Sequence, residues 1–256
     1  MSLVTSQISE VRELVSEYQS HLSSLRPCLC ATLSPRFMIV ETHRNYRLGF
    51  AHSLAAEDRD HLIDHLGKPV TAATDPLQGR AQVDFMSLPA WGAFVVKRYM
   101  RGGLMRHIIR RYHLRSGQSR GESEFRMLQK LRENDFPVPQ PFGWAEHGRL
   151  WVQTWLFLAE IPGAQTLAEI SREDPARAET LLGSVSKLIN RLGELNIHHV
   201  DLHPGNVLID ALDQVTLIDF DKATSNLLIK NDLSDIYYRR WNRAITKHHL
   251  PTSLNL

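Results

Sequence analysis

Two neighbouring stretches of the sequence decide the fold: residues 198–210 read HHVDLHPGNVLID, and residues 215–222 read VTLIDFDK. Asp201, Asn206 and Asp219 each stand beside a short apolar run. Oxygen-bearing side chains that border buried strands are costly unless a partner occupies the space between them. Magnesium prefers hard oxygen ligands of this kind. We therefore predict that a magnesium ion and the phosphates of a nucleotide lie between these three side chains.

The segments around these stretches show the periodicity of a helical second part. Apolar residues recur at helical spacing over 177–195 and predict a long helix with one buried face. The runs VLID (207–210) and VTLID (215–219) predict a hairpin across ALDQ. A last helix, rich in Arg, Tyr and Trp, is expected over 232–247.

The upstream part is predicted to be rich in strands. We expect strands at 36–43, within 69–99 and at 149–160, and helices at 52–67 and 119–133. Ser53 is the expected N-cap of the helix over 52–67, and Gly67 is its expected end. Three prolines predict an extended course for residues 135–144. Further helices are predicted at residues 1–26 and in the basic segment 101–114.

Composition limits the class of protein. The chain has 256 residues, 43% of them hydrophobic and 23% charged, as expected of a globular protein. Its only cysteines, Cys28 and Cys30, are too few for a structural zinc site and are expected to be reduced thiols. No secretory signal is visible, and no stretch approaches the roughly 20 apolar residues of a membrane span.

The charge of the chain is unevenly distributed. Residues 97–120 contain eight lysines and arginines and no acidic residue, although the net charge is only +2. Such a block attracts nucleic acid, anionic lipid or a phosphorylated substrate. A solvated helical face explains the same pattern equally well. A nucleic-acid partner rests on this block alone, and we expect none.

The order of elements resembles the protein-kinase-like fold, an α+β, bilobal architecture with a strand-rich N-lobe and a helical C-lobe. In that fold a strand lysine neutralises phosphate charge and a helix glutamate holds it; Lys97 and Glu124 fit these positions. The resemblance implies that Asp201 orients the acceptor hydroxyl. It also implies that Asn206 and Asp219 bind Mg²⁺ beside ATP.

Several of these assignments have alternatives. Lys97 also fits an exposed lysine on an edge strand. Glu124 also fits a surface salt bridge, and Glu122 competes with it for the pairing role. His203 either touches the γ-phosphate or supports the loop. Gly79 and Arg80 offer backbone amides to phosphate, or they belong to an ordinary hairpin turn.

The resemblance narrows to one family. The segments KRYMRGGL (97–104), SEFRMLQKLRENDFPVPQP (123–141), LAEIPGAQTL (158–167) and VTLIDFDKA (215–223) together resemble the bacterial 3-deoxy-D-manno-octulosonic acid (Kdo) kinases of the lipopolysaccharide kinase group. The similarity covers roughly residues 65–225, and Asp221 in place of the usual glycine of D-F-G is part of it. The stretch Asp201 to Gly205 departs from the family pattern and resembles other atypical kinases.

The resemblance implies an activity and a location. A Kdo kinase transfers the γ-phosphoryl of ATP to the 4-hydroxyl of Kdo on a lipid A precursor, at the cytoplasmic face of the bacterial inner membrane. An anionic glycolipid and anionic headgroups would both favour the basic stretch 97–120. We therefore expect a peripheral membrane protein without a transmembrane span.

The predicted organisation has three parts: an N-terminal extension over 1–50 on or near the N-lobe, the N-lobe over 51–158 and the C-lobe over 159–256. Three alternative functions remain at this point. The chain could be a kinase whose acceptor is a heptose of the same core region, an atypical protein kinase, or a nucleotide-binding pseudokinase scaffold. The intact set of Lys97, Asp201, Asn206 and Asp219 argues against the scaffold.

Overall fold

The computed structural model of the protein describes residues 38–68, 81–99, 113–114, 117–225 and 233–256. The predicted helix over 1–26 and the first strand and turn of the segment 69–99 lie outside these residues. The helix predicted in the basic segment 101–114 also lies outside them, except for residues 113–114. These two residues form a strand, so the helix does not extend to the end of that segment.

Seven described strands form one antiparallel sheet. They are β1 (Ile39–His43), β2 (Tyr46–Phe50), β3 (Ala81–Leu88), β4 (Gly92–Tyr99), β5 (His113–Leu114), β6 (Pro141–His147) and β7 (Trp151–Ala159). The order along the sheet is β1-β2-β6-β7-β4-β3, and β5 pairs with β7. Strand β4 therefore lies inside the sheet, hydrogen-bonded to β3 on one side and to β7 on the other.

Helix α1 (Ala56–Leu66) follows β2 and begins later than the sequence indicates. Its N-cap is Ala55, which provides no side-chain cap, so the assignment of Ser53 as N-cap is wrong. Ala55 still has an extended backbone, and the acidic residues Glu57 and Asp58 in the first turn complement the positive end of the helix dipole instead. Gly67 ends the helix, as predicted.

Helix α2 (Arg120–Glu133) packs on the sheet and confirms the helix predicted over 119–133. The Ser119 hydroxyl caps it by accepting a hydrogen bond from the Glu122 amide. The face predicted to be apolar, with Phe125 and Leu128, is buried. At Gly121 an added Cβ would lie 2.5 Å from the Trp155 carbonyl oxygen of β7, so glycine allows the first turn to approach the sheet closely.

The second half is mainly helical, as predicted. It contains α3 (Leu167–Glu173), α4 (Pro175–Glu194) and α5 (Leu233–Lys247), with short strands β8 (Gln165–Thr166), β9 (Ile197–His198), β10 (Val207–Ile209), β11 (Val215–Leu217) and β12 (Thr224–Ser225). Strands β10 and β11 pair as the predicted antiparallel hairpin. Helix α4 starts at Pro175 behind Asp174, whose carboxylate accepts from the Arg177 amide.

Two apolar cores hold these elements together. The smaller core lies between the large sheet and α1, and its largest side chains include Trp155, Phe94 and Phe157. The larger core joins α2 to the helices of the second half, with Trp241 of α5 fully buried. The architecture is thus the α+β, protein-kinase-like fold that the sequence predicts. None of the described helices is long and apolar enough to cross a membrane.

Candidate active site

The site is centred on Lys97, near the end of β4. Its neighbours in the sheet are Val83 of β3 and Leu156 of β7. The side chain is only 8% exposed. The alternative of an exposed edge lysine is therefore wrong, because Lys97 lies on an interior strand and its ammonium is buried. A buried ammonium is costly unless it is paired and hydrogen-bonded.

Glu124 of α2 provides that pairing. The Lys97 Nζ donates to both carboxylate oxygens of Glu124, at 2.8 Å each. The carboxylate also accepts from the Tyr99 hydroxyl and, at 3.0 Å, from the backbone N–H of Phe220. Glu124 is 1% exposed, so the alternative of a surface salt bridge is excluded. Its carboxylate links β4, α2 and the D-F-D segment (residues 219–221) at one point.

The competing residue, Glu122, has different partners. Its carboxylate accepts from Arg47 of β2 at 3.2 Å and from Arg126 one turn later on α2 at 2.8 Å. Arg47 also reaches the buried Glu146 of β6, at 3.2 Å. Glu122 therefore fastens α2 to the far part of the sheet, while Glu124 faces the lysine.

Asp219 completes the polar cluster around Lys97. Its Oδ1 accepts a hydrogen bond from Lys97 Nζ at 2.6 Å. Its backbone has a φ of +65°, in the left-handed region that Asp tolerates better than most residues. This conformation turns the chain directly after β11, between Ile218 and Phe220. Lys97, Glu124 and Asp219, which are far apart in sequence, are thus brought together.

The electrostatics of the cluster follow from one ammonium between two carboxylates. Burial by itself lowers the pKa of Lys97, but Glu124 and Asp219 raise it above its usual value. Burial opposes ionisation of Asp219, yet Lys97 lowers the pKa of that carboxyl. Burial and then the neighbouring Asp219 raise the pKa of Glu124, against the effect of Lys97. The three charges sum to a net negative charge, which an added cation would compensate.

The loop after β9 carries the other predicted residues. Asp201 is exposed, whereas Asn206 is 8% exposed and sits in a short 3₁₀ turn, Pro204–Asn206. The Asn206 amide nitrogen donates to the Asp201 carbonyl at 2.7 Å. The Asn206 carbonyl accepts from the Ile218 amide at 3.0 Å, next to Asp219. These bonds fix the loop against the D-F-D segment.

His199, for which the sequence pattern predicted no role, joins the same two segments. Its Nε2 lies 3.0 Å from the Ile218 carbonyl, and its Nδ1 accepts from the Asp201 amide at 3.3 Å. Its ring packs edge-on against Phe220. Burial lowers the pKa of His199 to about 4, so the ring is neutral at pH 7 with the proton on Nε2. A histidine two residues before Asp201 was the available signal.

The donor set fits a magnesium ion. The side-chain nitrogen of Asn206 donates to the Asp201 carbonyl, so the side-chain oxygen of Asn206 faces away from that carbonyl. Asp219 offers a carboxylate beside a cluster with excess negative charge. Among the described residues no group of three His, Cys, Asp or Glu forms a complete metal site. Mg²⁺ commonly takes one or two protein ligands and completes its shell with phosphate oxygens and water, and Asn206 and Asp219 are oxygen ligands of that kind.

Of the two remaining predicted assignments, the structure describes that of His203 and does not describe that of Gly79 and Arg80. The Nδ1 of His203 accepts from the Gly205 amide at 3.0 Å, so this side chain does support the loop. Burial lowers the pKa of His203, although Asp201 opposes the shift. Contact between His203 and the γ-phosphate stays a prediction. Gly79 and Arg80 lie outside the described residues, and their role in phosphate binding stays a prediction as well.

A second, partly buried ion pair lies next to this cluster. Arg120, the first residue of α2, donates from Nε to Asp221 Oδ1 at 2.7 Å and from Nη2 to Oδ2. The Arg120 guanidinium lies 4.9 Å from the centroid of the Tyr99 ring. In the sequence Arg120 is part of the basic block, and Asp221 stands out only as a departure from D-F-G. Nothing in the sequence pairs two residues 101 positions apart.

The described part of the basic stretch 97–120 is engaged inside the fold. Lys97 and Arg120 bind carboxylates. Arg98 is 5% exposed and donates to the Leu66 carbonyl at 3.2 Å. These three residues therefore do not form a solvated helical face, and attraction of the stretch to an anionic partner stays a prediction. The other five basic residues of the stretch lie outside the described residues.

The fold and its lysine-centred cluster define a protein of the protein-kinase-like class. The sequence pattern of the Lipopolysaccharide kinase (Kdo/WaaP) family matches residues 70–251, and the chain belongs to this family. The resemblance seen in the sequence is thereby confirmed.

Curated relatives are consistent with this assignment. The chain is 34% identical over 148 residues to a 3-deoxy-D-manno-octulosonic acid kinase of Vibrio vulnificus (strain YJ016), covering 57% of this chain and 62% of the relative. It is 32% identical over 162 residues to the enzyme of that name from Vibrio cholerae, covering 61% and 66%. For Stenotrophomonas maltophilia (strain K279a) the identity is 33% over 149 residues, covering 57% and 58%. The chain thus spans less than two thirds of the length of these relatives.

Proposed function

We propose that this protein transfers the γ-phosphoryl of ATP to a hydroxyl of Kdo, at the 4-position, on a lipid A precursor of the lipopolysaccharide core. The observation that carries the proposal is the buried contact of Lys97 with both Glu124 and Asp219. It supports a phosphate-binding site in a chain of the lipopolysaccharide kinase family, whose relatives are named Kdo kinases.

The residues have distinct roles in the proposed reaction. Phosphoryl transfer asks for positioning and charge neutralisation rather than covalent chemistry. Lys97, held by Glu124, binds phosphate oxygens, and Asn206 with Asp219 holds Mg²⁺, which neutralises charge on the transferring group. The exposed Asp201 orients the acceptor hydroxyl and accepts its proton. Because its carbonyl is bound by Asn206, Asp201 stays in register with the metal ligands.

A transfer assay tests the proposal directly. Purified protein is incubated with labelled ATP, Mg²⁺ and a Kdo-lipid A precursor, beside Asp219→Ala and a matched control, Asp213→Asn. Asp213 is an exposed aspartate in the turn between β10 and β11, and it pairs only with Arg177 among the described ion pairs. We expect label on the glycolipid with wild type and the control, and none with Asp219→Ala.

Other outcomes would change the acceptor or the class. Label that appears only on heptose-containing core or on protein would replace the Kdo acceptor with one of the alternatives. Bound ATP without any transfer to Kdo-lipid A, to heptose-containing core or to protein would support the pseudokinase scaffold.

The proposed substrate places the protein at the inner face of the bacterial inner membrane as a peripheral protein. A co-sedimentation assay with vesicles of phosphatidylethanolamine and phosphatidylglycerol, compared with vesicles of neutral lipid only, tests this location. We expect binding that rises with the anionic fraction and falls with salt. Equal binding to both vesicle types would show that the basic stretch does not attract the protein to anionic lipid.

A further inference from the structure

The ion pair between Arg120 and Asp221 lies outside the set of residues that the proposed chemistry uses. Both hydrogen bonds of the fork run from one guanidinium to one carboxylate, the geometry that gives Arg–carboxylate pairs their directional strength. The Asp221 side chain is 10% exposed and that of Arg120 29%. Ion pairs on the surface contribute little, but this one is partly shielded from water, mainly at the Asp221 carboxylate.

The pair closes a ring of contacts around the D-F-D segment. Arg120 lies against the Tyr99 ring, and the Tyr99 hydroxyl donates to Glu124. Glu124 accepts the Phe220 amide, and Phe220 precedes Asp221, which returns to Arg120. The ring therefore ties both the first turn of α2 and its second turn to the two residues that follow Asp219.

From this geometry we propose that Arg120 and Asp221 form a latch that holds α2 and the D-F-D segment in their working positions before nucleotide binds. Asp221 occupies the place where the related motif has glycine, a residue that cannot form such a bond. The two residues are positioning residues, because they act through Glu124 and Asp219. The site is then assembled by contacts within the chain, without a modification or a partner that draws α2 inward. The inference rests on the proposed function for the role of Asp219.

Three variants test the latch: Arg120→Gln, Asp221→Asn and the double variant. The matched control is the exposed pair of Arg177 and Asp213, which has a similar two-nitrogen contact, changed to Arg177→Gln and Asp213→Asn. The first readout needs neither ATP nor metal. It is hydrogen–deuterium exchange of the Phe220 amide in the free protein, and we expect faster exchange in all three latch variants and no change in the controls.

The second readout is the Mg²⁺ dependence of phosphoryl transfer and of binding of a fluorescent ATP analogue. We expect a higher half-saturating Mg²⁺ concentration and a kcat lower by up to about 100-fold, the scale of a displacement of about 1 Å at a reacting group. Because the residues act as one unit, the double variant should be no worse than the more severe single variant. Arg120→Lys, which keeps the charge but not the fork, should recover only part of the loss.

Each result bears on the latch. Unchanged exchange of Phe220 together with unchanged Mg²⁺ dependence would overturn it, and so would single-variant losses that multiply in the double variant. The failure of the proposed function looks different. In that case wild type itself transfers no label to Kdo-lipid A, while exchange and nucleotide binding still separate the latch variants from the controls. A wild type that binds no nucleotide would overturn both.

Discussion

Replacing Lys97 by methionine should destabilise the protein in a way that depends on pH. Methionine has a similar length and no charge, so the change leaves the 1%-exposed Glu124 without its cation and still near Asp219. Removing one partner of a buried ion pair typically costs about 3–5 kcal/mol. The Tyr99 hydroxyl and the Phe220 amide remain as donors to Glu124 and reduce that cost.

Protonation of Glu124 sets an upper limit to the penalty. From an ordinary pKa of 4.5, protonating the carboxyl at pH 7 costs about 3.4 kcal/mol, at 1.36 kcal/mol per pH unit. At pH 5 the same step costs only about 0.7 kcal/mol. We therefore expect Lys97→Met to lose up to about 3 kcal/mol of unfolding free energy at pH 7 and clearly less at pH 5.

The sign of the pH effect follows from the variant's carboxyls. Without Lys97, the folded-state pKa of Glu124 rises further above its unfolded value, so the folded variant binds protons more readily and gains relative stability as pH falls. In wild type the lowered pKa of Asp219 contributes stability that is present above the unfolded pKa and is lost as pH falls. Between pH 7 and pH 5 only the Glu124 effect narrows the gap between wild type and variant, because the Asp219 effect begins below the unfolded pKa of 3.8.

The assay is urea unfolding at pH 7 and pH 5, followed by fluorescence. The matched control is Lys187→Met, at an exposed lysine of α4. A second variant sharpens the test: Glu124→Gln added to Lys97→Met removes the buried charge and should restore part of the lost stability at pH 7. A gap of equal size at both pH values, or a double variant less stable than Lys97→Met, would refute the reasoning.

Three further outcomes are expected. Asp201→Ala should lower transfer by about 10²–10⁴-fold, the usual contribution of a positioned acid or base, while equilibrium binding of ATP survives; retained turnover would defeat the assignment. The pKa of His199 is about 4 in the folded protein and 6.5 in the unfolded chain, so wild type should lose stability as pH falls from 6.5 to about 4. His199→Gln should lose less stability over the same range. Urea titrations between pH 7 and pH 4 check this, and equal pH profiles of the two proteins would contradict it. Gly121→Ala should destabilise the protein by about 1–3 kcal/mol, because its Cβ would meet the Trp155 carbonyl oxygen at 2.5 Å. Thermal unfolding measures the loss, and the control is Gly183→Ala, where no atom lies within 4 Å of the added Cβ. Equal melting temperatures of the two variants would exclude the close contact.

The local pattern predicted the elements well where periodicity was strong. Helix α2 and the β10–β11 hairpin lie where the apolar spacing indicated, because burying those faces needs that secondary structure. The start of α1 was wrong, because a serine near a helix start competes with neighbouring positions and the tertiary fold selected Ala55. Helix boundaries depend on such small energy differences, whereas the existence of a helix depends on its whole buried face.

The choice between Glu122 and Glu124 shows what only tertiary structure decides. Two positions apart on one helix, they point about 200° apart around the axis at roughly 100° per residue. One turned to Arg47 of β2 and the other to Lys97 of β4. Which of them met the lysine depended on how α2 was placed on the sheet, and no local pattern contains that information.

The sequence by itself determined the order of elements and the spacing of Asp201, Asn206 and Asp219, because these residues sit in one continuous stretch whose apolar runs fix its strands and turns. The sequence also predicted the family, through motifs spread over much of the chain. Only the tertiary structure decided that Lys97 is buried against two carboxylates, that Arg120 pairs with Asp221 and that Arg98 donates to the Leu66 carbonyl. Those contacts join residues far apart in the chain, and their energies depend on burial, which arises when the sheet, α2 and the D-F-D segment pack together.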